Sequence, residues 1–249
     1  MENIVLAIII FCASALFSMI GLGGAIFYVP FFYWISGDFL FSVTIALLLN
    51  TVTSGSAAIT YIRKKMVEFN ISIPFIVASM TGAQIGAYFT RLAPVELLLL
   101  MFALLMVLVG EEMIFSRIQG IYSKKQIQGK KKYLLVIVSG FLVGAFSGML
   151  GIGGGTFIVP LLLILGFDIK RAAASSGFIV LFTSLSAFVA HVSTWNPDFH
   201  MVASVVVASF AGAQLGSYLM HSRVKAETLK KMFGIVLWLM AIRMIAGIL

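Results

Sequence analysis

The sequence predicts an all-α integral membrane protein of about eight membrane helices plus two short half-helices, built as two homologous repeats. Three observations carry that prediction. Hydrophobic residues fill 61% of the 249 positions and charged residues only 10%, with a mean hydropathy of +1.10; soluble domains carry about 25% charge. The apolar residues gather into runs suited to a hydrocarbon core of ~30 Å. Finally, the chain matches itself at a spacing of 130 residues.

Apolar segments are expected at 3–20, 25–35, 39–62, 70–90, 94–115, 133–150, 156–166, 171–190, 199–220 and 228–248. The first has no positive charge in Met1-Glu2-Asn3 and no small-residue cleavage site after it, so it reads as a retained helix rather than a signal peptide. Cys12 lies inside it, excludes an intramolecular disulfide, and is expected to pack as a small hydrophobe. Segments 25–35 and 156–166 are too short to cross, because an 11-residue helix at 1.5 Å per residue covers roughly 16 Å. Half-helices are expected there.

The repeat is legible in three blocks with no gap between them. Gly21-Leu-Gly-Gly-Ala-Ile-Phe-Tyr-Val-Pro30 aligns with Gly151-Ile-Gly-Gly-Gly-Thr-Phe-Ile-Val-Pro160. Thr53-Ser-Gly-Ser-Ala57 aligns with Thr183-Ser-Leu-Ser-Ala187, and Gly82-Ala-Gln-Ile-Gly-Ala-Tyr88 with Gly212-Ala-Gln-Leu-Gly-Ser-Tyr218. Apolar bias alone would not place Gln, Pro and paired Gly in register three times. The expected organisation is a first membrane repeat at 1–115, a basic cytoplasmic linker at 116–132, and a second repeat at 133–249.

Charge orients the repeats, because cytoplasmic loops carry the Lys and Arg excess. If each glycine-broken pair (3–35 and 133–166) enters and leaves on one face, each half crosses three times and the copies are inverted. With the linker inside, 15 of the 17 basic residues then fall on the cytoplasmic side, leaving only Arg91 and Arg243. If each pair crosses fully, the copies are parallel and the division is 10 against 7. The inverted arrangement is favoured. The net charge of +8 has no amphipathic face with interleaved aromatics, so nucleic acid is not expected as a partner.

The glycines suggest chemistry. In hydrocarbon an unwound backbone survives only where protein or a water-filled cavity satisfies it. Gly21, Gly23, Gly24 and Gly151, Gly153, Gly154, Gly155 therefore mark breaks at membrane depth, each followed by a half-helix whose first N–H groups carry the positive dipole end. Two such ends meeting near the midplane would bind an anion without a buried cation, with Ala25 and Thr156 in the first turns and Pro30 and Pro160 as structural residues. The same glycines could instead serve close helix packing. Hydroxyls around Thr53, Ser54, Ser56 and Thr183, Ser184, Ser186, with Asn50 one turn earlier, offer further donors or interhelical bonds. Gln84 and Gln214 are expected to be buried amides that contact the substrate or the hairpins, or else pack helices. His191 and His200 flank an exterior loop and are expected to be solvated. The motifs of zinc proteases, serine hydrolases and P-loops are absent, and neither an enzyme activity nor a cofactor or metal is expected.

The paired Gly-x-Gly-Gly, Thr-Ser-x-Ser-Ala and Gly-Ala-Gln-x-Gly blocks closely resemble the TauE/SafE family of sulfite and organosulfonate exporters. The resemblance covers nearly the whole chain and looks most typical over Phe141–Leu162. It implies a small permease of eight membrane helices that moves sulfur oxyanions or related organic anions, coupled to protons. The first copy departs from the pattern at Ala25, where the second has Gly155, and at Asn50, where the second has Val180. The expected function is a secondary transporter of a small anion in the cell membrane, spanning the bilayer several times, with a passive anion channel as the alternative. The oligomeric state is left open.

Overall fold

A computed structural model describes residues 2–21, 23–115, 130–195, 197–219 and 226–246. Within them the chain is helical without strands: α1 (Glu2–Ile20), α2 (Ala25–Ser36), α3 (Phe39–Arg63), α4 (Phe69–Thr90), α5 (Val95–Phe115), α6 (Lys130–Leu150), α7 (Gly155–Ile164), α8 (Ile169–His191), α9 (Phe199–Leu219) and α10 (Ala226–Ala246). Six of these, α3, α4, α5, α6, α8 and α9, are long and apolar enough to cross a membrane. Residues 116–129 of the expected linker lie outside the described residues, as do Arg117, Lys124, Lys125, Arg223 and Lys225. Lys130, Lys131 and Lys132 belong to the first turn of α6.

Helix starts follow local chemistry. Asp38 accepts from the Phe41 amide at the head of α3, and Asp168 accepts from the amides of Lys170 and Arg171 at the head of α8. These carboxylates satisfy donors that the helix leaves open. The half-helices do not stop at their prolines, since α2 runs six residues beyond Pro30 and α7 four beyond Pro160. Each proline is the sixth residue of its helix, where it removes the hydrogen bond to the carbonyl four residues back.

Close packing fixes helix directions. Gly82 and Gly86 of α4 lie against the Phe141 and Ala145 carbonyls of α6, and Gly212 and Gly216 of α9 lie against those of Phe11 and Ala15 in α1. Both pairs are therefore parallel. Thr53 and Thr60 of α3 bond Ser209 and Gln214 of α9, which makes those two parallel as well. Asn50 meets Ser184 while Tyr61 meets Gly177, so α3 and α8 are antiparallel. Gly24 meets Asn50 while Ser36 meets Ser42, so α2 runs back against α3 and against α1. Thus α1, α3 and α9 point one way, and α4, α6 and α8 the other. Asp38 and Lys170, at the starts of α3 and α8, mark opposite ends of the bundle.

The contacts recur at the repeat spacing. Thr53 Oγ1 and Ser209 Oγ are 2.7 Å apart, and so are Thr183 Oγ1 and Ser79 Oγ. Tyr61 Oη donates to the Ser18 carbonyl at 2.7 Å, and His191 Nε2 donates to the Gly148 carbonyl at 2.8 Å. His191 is thus buried, 3% exposed, contrary to the expectation of a solvated loop histidine. The physical reason is that α8 continues to His191 and its last turn tucks the ring against the end of α6. The bundle's outer surface is apolar, with Leu97, Leu100, Leu104 and Leu108 forming an exposed stripe on α5, as a lipid-facing helix requires.

Candidate functional site

The two glycine breaks meet at the side chain of Asn50, which is fully buried in the middle of α3. Its Oδ1 accepts from the Gly24 amide at 2.6 Å and the Ala25 amide at 3.3 Å, while its Nδ2 donates to Ser184 Oγ on α8 at 2.7 Å. A Cβ on Gly23 would collide with Oδ1, and one on Gly153 would collide with Nδ2 and sit 2.8 Å from Ser184 Oγ. Both glycines have φ near +75°, a conformation that favours glycine. Asn50 thus joins both breaks and α8 through one carboxamide.

The outer glycines diverge from this centre. Gly21 packs on the backbone of Ala173 and Gly151 on the Val43 side chain. Gly154, at φ 81°, caps α7, which begins at Gly155 and Thr156. Among the described residues no side-chain acceptor is recorded for the Gly154 and Gly155 amides, whereas Asn50 serves the Gly24 and Ala25 amides at the head of α2. The hydroxyls of Ser54, Ser147 and Thr156 are buried without a hydrogen-bond partner.

Gln84 and Gln214 are placed elsewhere. Gln84 Nε2 donates to the Ser186 carbonyl and Gln214 Nε2 to the Ser56 carbonyl, so each ties a peripheral helix to a central one. Neither is a fully buried amide, since Gln84 is exposed and Gln214 half-buried. The amide group turns inward to a carbonyl while the rest of the side chain stays at the bundle surface. Ser147, absent from the sequence-based candidates, stands beside the α7 cap: its Cβ would be 3.9 Å from a Cβ on Gly154. Its signal was available in the register, where the position 130 residues earlier is Phe17.

Chemically the centre offers N–H and O–H donors and no full positive charge. Among the described residues the buried polar side chains are serines, threonines and Asn50, with the Tyr28 and Tyr61 hydroxyls and with His191 at the end of α8. Such a donor set suits an anion whose oxygens replace water at a helix terminus.

A family model described as sulfite exporter TauE/SafE matches residues 6–244. The chain belongs to the sulfite exporter TauE/SafE family. It is therefore a multi-pass membrane protein of a transporter family. Among curated relatives it is similar to the probable membrane transporter protein YunE of Bacillus subtilis, 27% identical over 268 residues that cover 98% of each chain. A probable membrane transporter protein of Haemophilus influenzae is 32% identical over 156 residues, 57% of each chain. The sulfite exporter TauE/SafE family protein 1 of Arabidopsis thaliana is 41% identical over 58 residues, 23% of this chain and 13% of the plant protein. No solved structure matches at a significant level.

Proposed function

We propose that this TauE/SafE member is a secondary transporter of the cell membrane that moves a small sulfur-containing oxyanion or organic anion, such as sulfite or sulfoacetate, by alternating access. The anion binds at the half-helix N-termini where the glycine breaks converge. The observation that carries this reading is the junction of both breaks at Asn50, together with the buried, unpartnered hydroxyls of Ser54, Ser147 and Thr156. Of the eight long membrane helices six cross the bilayer, three in each half, and the two glycine-broken hairpins, each a long helix with its half-helix, enter from opposite faces as inverted repeats, in the manner of transporters with discontinuous helices. The opposed directions of α3 and α8, and hydrogen bonds that recur at a spacing of 130 residues, support this arrangement. Protons are the proposed coupling ion.

The test is uptake of labelled sulfite into proteoliposomes under an imposed pH gradient. Accumulation above the external concentration identifies a coupled transporter, and flux that stops at equality identifies the passive channel. Gly154→Val places a side chain at φ 81° and within 2.8 Å of Val143 Cγ1. It is expected to abolish uptake while the protein still reaches the membrane. Normal uptake by that variant would sink the anion site.

A further inference from the structure

We propose that the two half-helix N-termini are not equivalent: only that of α7 takes the anion, held by the Gly154, Gly155 and Thr156 amides with the hydroxyls of Ser147 and Thr156, while Asn50 fills the α2 terminus as an internal stand-in. This rests on the half-helix reading above and deepens it.

The carboxamide oxygen of Asn50 sits on the Gly24 and Ala25 amides, the place an anion oxygen would take. That terminus is satisfied by the protein itself. At the corresponding position the second repeat has Val180, fully buried and without any acceptor. The surroundings differ in the same sense. Thr156 and Ser147, 7% and 1% exposed with hydroxyls lacking partners, correspond to Ile26 and Phe17, 2% and 0% exposed. The α2 terminus is closed by the Asn50 carboxamide, and the Tyr28 hydroxyl beside Gly24 is already bonded to Ser14 and Thr53. The α7 terminus has two orphaned donors beside it and no side-chain acceptor among the described residues, and an orphaned buried hydroxyl is costly unless something fills its place.

Asn50 also acts on the open side as a positioning residue. Its Nδ2 donates to Ser184 Oγ, so the Ser184 hydroxyl hydrogen is free to point elsewhere, and Ser184 borders Gly153 just ahead of the α7 terminus. The ligand class follows from the charge. A helix terminus supplies roughly half a unit of positive charge. The cost of stripping water from an ion grows with the square of its charge, whereas attraction to a fixed dipole grows only linearly. A monoanionic head with several oxygens, such as hydrogensulfite or a sulfonate, is favoured over a dianion.

The experiment is saturation binding of labelled sulfite to the full chain in detergent, with methanesulfonate and sulfate as competitors and a melting curve as the folding control. Expected are one sulfite per chain, competition by methanesulfonate and not by sulfate, and affinity weakened about tenfold or more by Thr156→Val and by Ser147→Ala. Ile26→Val, at the matching place in the other repeat, is expected to change affinity less than about twofold. Two sulfites per chain, or unchanged affinity in both hydroxyl variants, would overturn the asymmetry and leave the half-helix reading standing. Undiminished binding by Gly154→Val, or no binding of either probe to the wild type, would overturn both. Ser147→Ala keeps the test decisive if Thr156→Val fails to fold.

Discussion

Asn50 shows how one side chain separates stability from binding. Asn50→Leu leaves two buried amides without an acceptor, which costs about 1–3 kcal/mol, so the detergent-purified protein should melt well below the wild type. Asn50→Asp keeps the acceptor at the head of α2, where a carboxylate is favoured by the helix dipole. That variant should fold, yet its negative charge beside Gly153 should suppress sulfite binding. Equal melting temperatures for the two variants would refute the capping role. The glycines around this residue were legible in the sequence because a Gly-x-Gly-Gly run in an apolar stretch has few other uses. The capping by Asn50 was not, because its partners lie 25, 26 and 134 residues away and nothing local marks them. His191 was misread for a related reason: burial of a loop-flanking histidine depends on where another helix ends.

At the scale of the elements, glycine contacts govern how near α4 and α6 approach. A Cβ on Gly144 would collide with the Ser79 carbonyl, and one on Gly148 with the Ala83 carbonyl. Backbone cannot yield as a side-chain tip can. Gly144→Leu should therefore abolish monodisperse protein in size-exclusion chromatography. Gly55→Ala should be tolerated, since its Cβ would meet only the Leu181 Cδ1 methyl at 3.2 Å. The ten helices were foreseen to within a few residues because lipid imposes long uniform apolar runs. The expected segments 25–35 and 156–166 already ran past Pro30 and Pro160, and packing against α3 and α8 supports those short helices where local propensity would end them.

For the whole molecule, the antiparallel course of α3 and α8 predicts that Asp38 and Lys170 face opposite compartments. Both are exposed. Single cysteines placed there in a Cys12→Ser background should react with an impermeant maleimide from opposite sides of the membrane. Labelling of both from one side would reject the inverted arrangement. The expectation of a repeat came from its three sequence blocks. The pairing of α1 with α9 and of α4 with α6 was not legible, because small residues lie on many helix faces and sequence does not say which face meets which.

The pairing of α1 with α9 also imposes an order of assembly. Phe11 and Ala15 find their glycine notches at Gly212 and Gly216, some 200 positions downstream, whereas α4 meets α6 after only about 60. At a synthesis rate of ~5–20 residues per second, roughly 10–40 s separate the emergence of α1 from that of its partner. During that interval α1 waits in the bilayer without its neighbour. A nascent chain arrested before α9 should hold α1 accessible to lipid-soluble crosslinkers, and completion of α9 should close that access, making the synthesis of α9 the step that commits α1 to its final place.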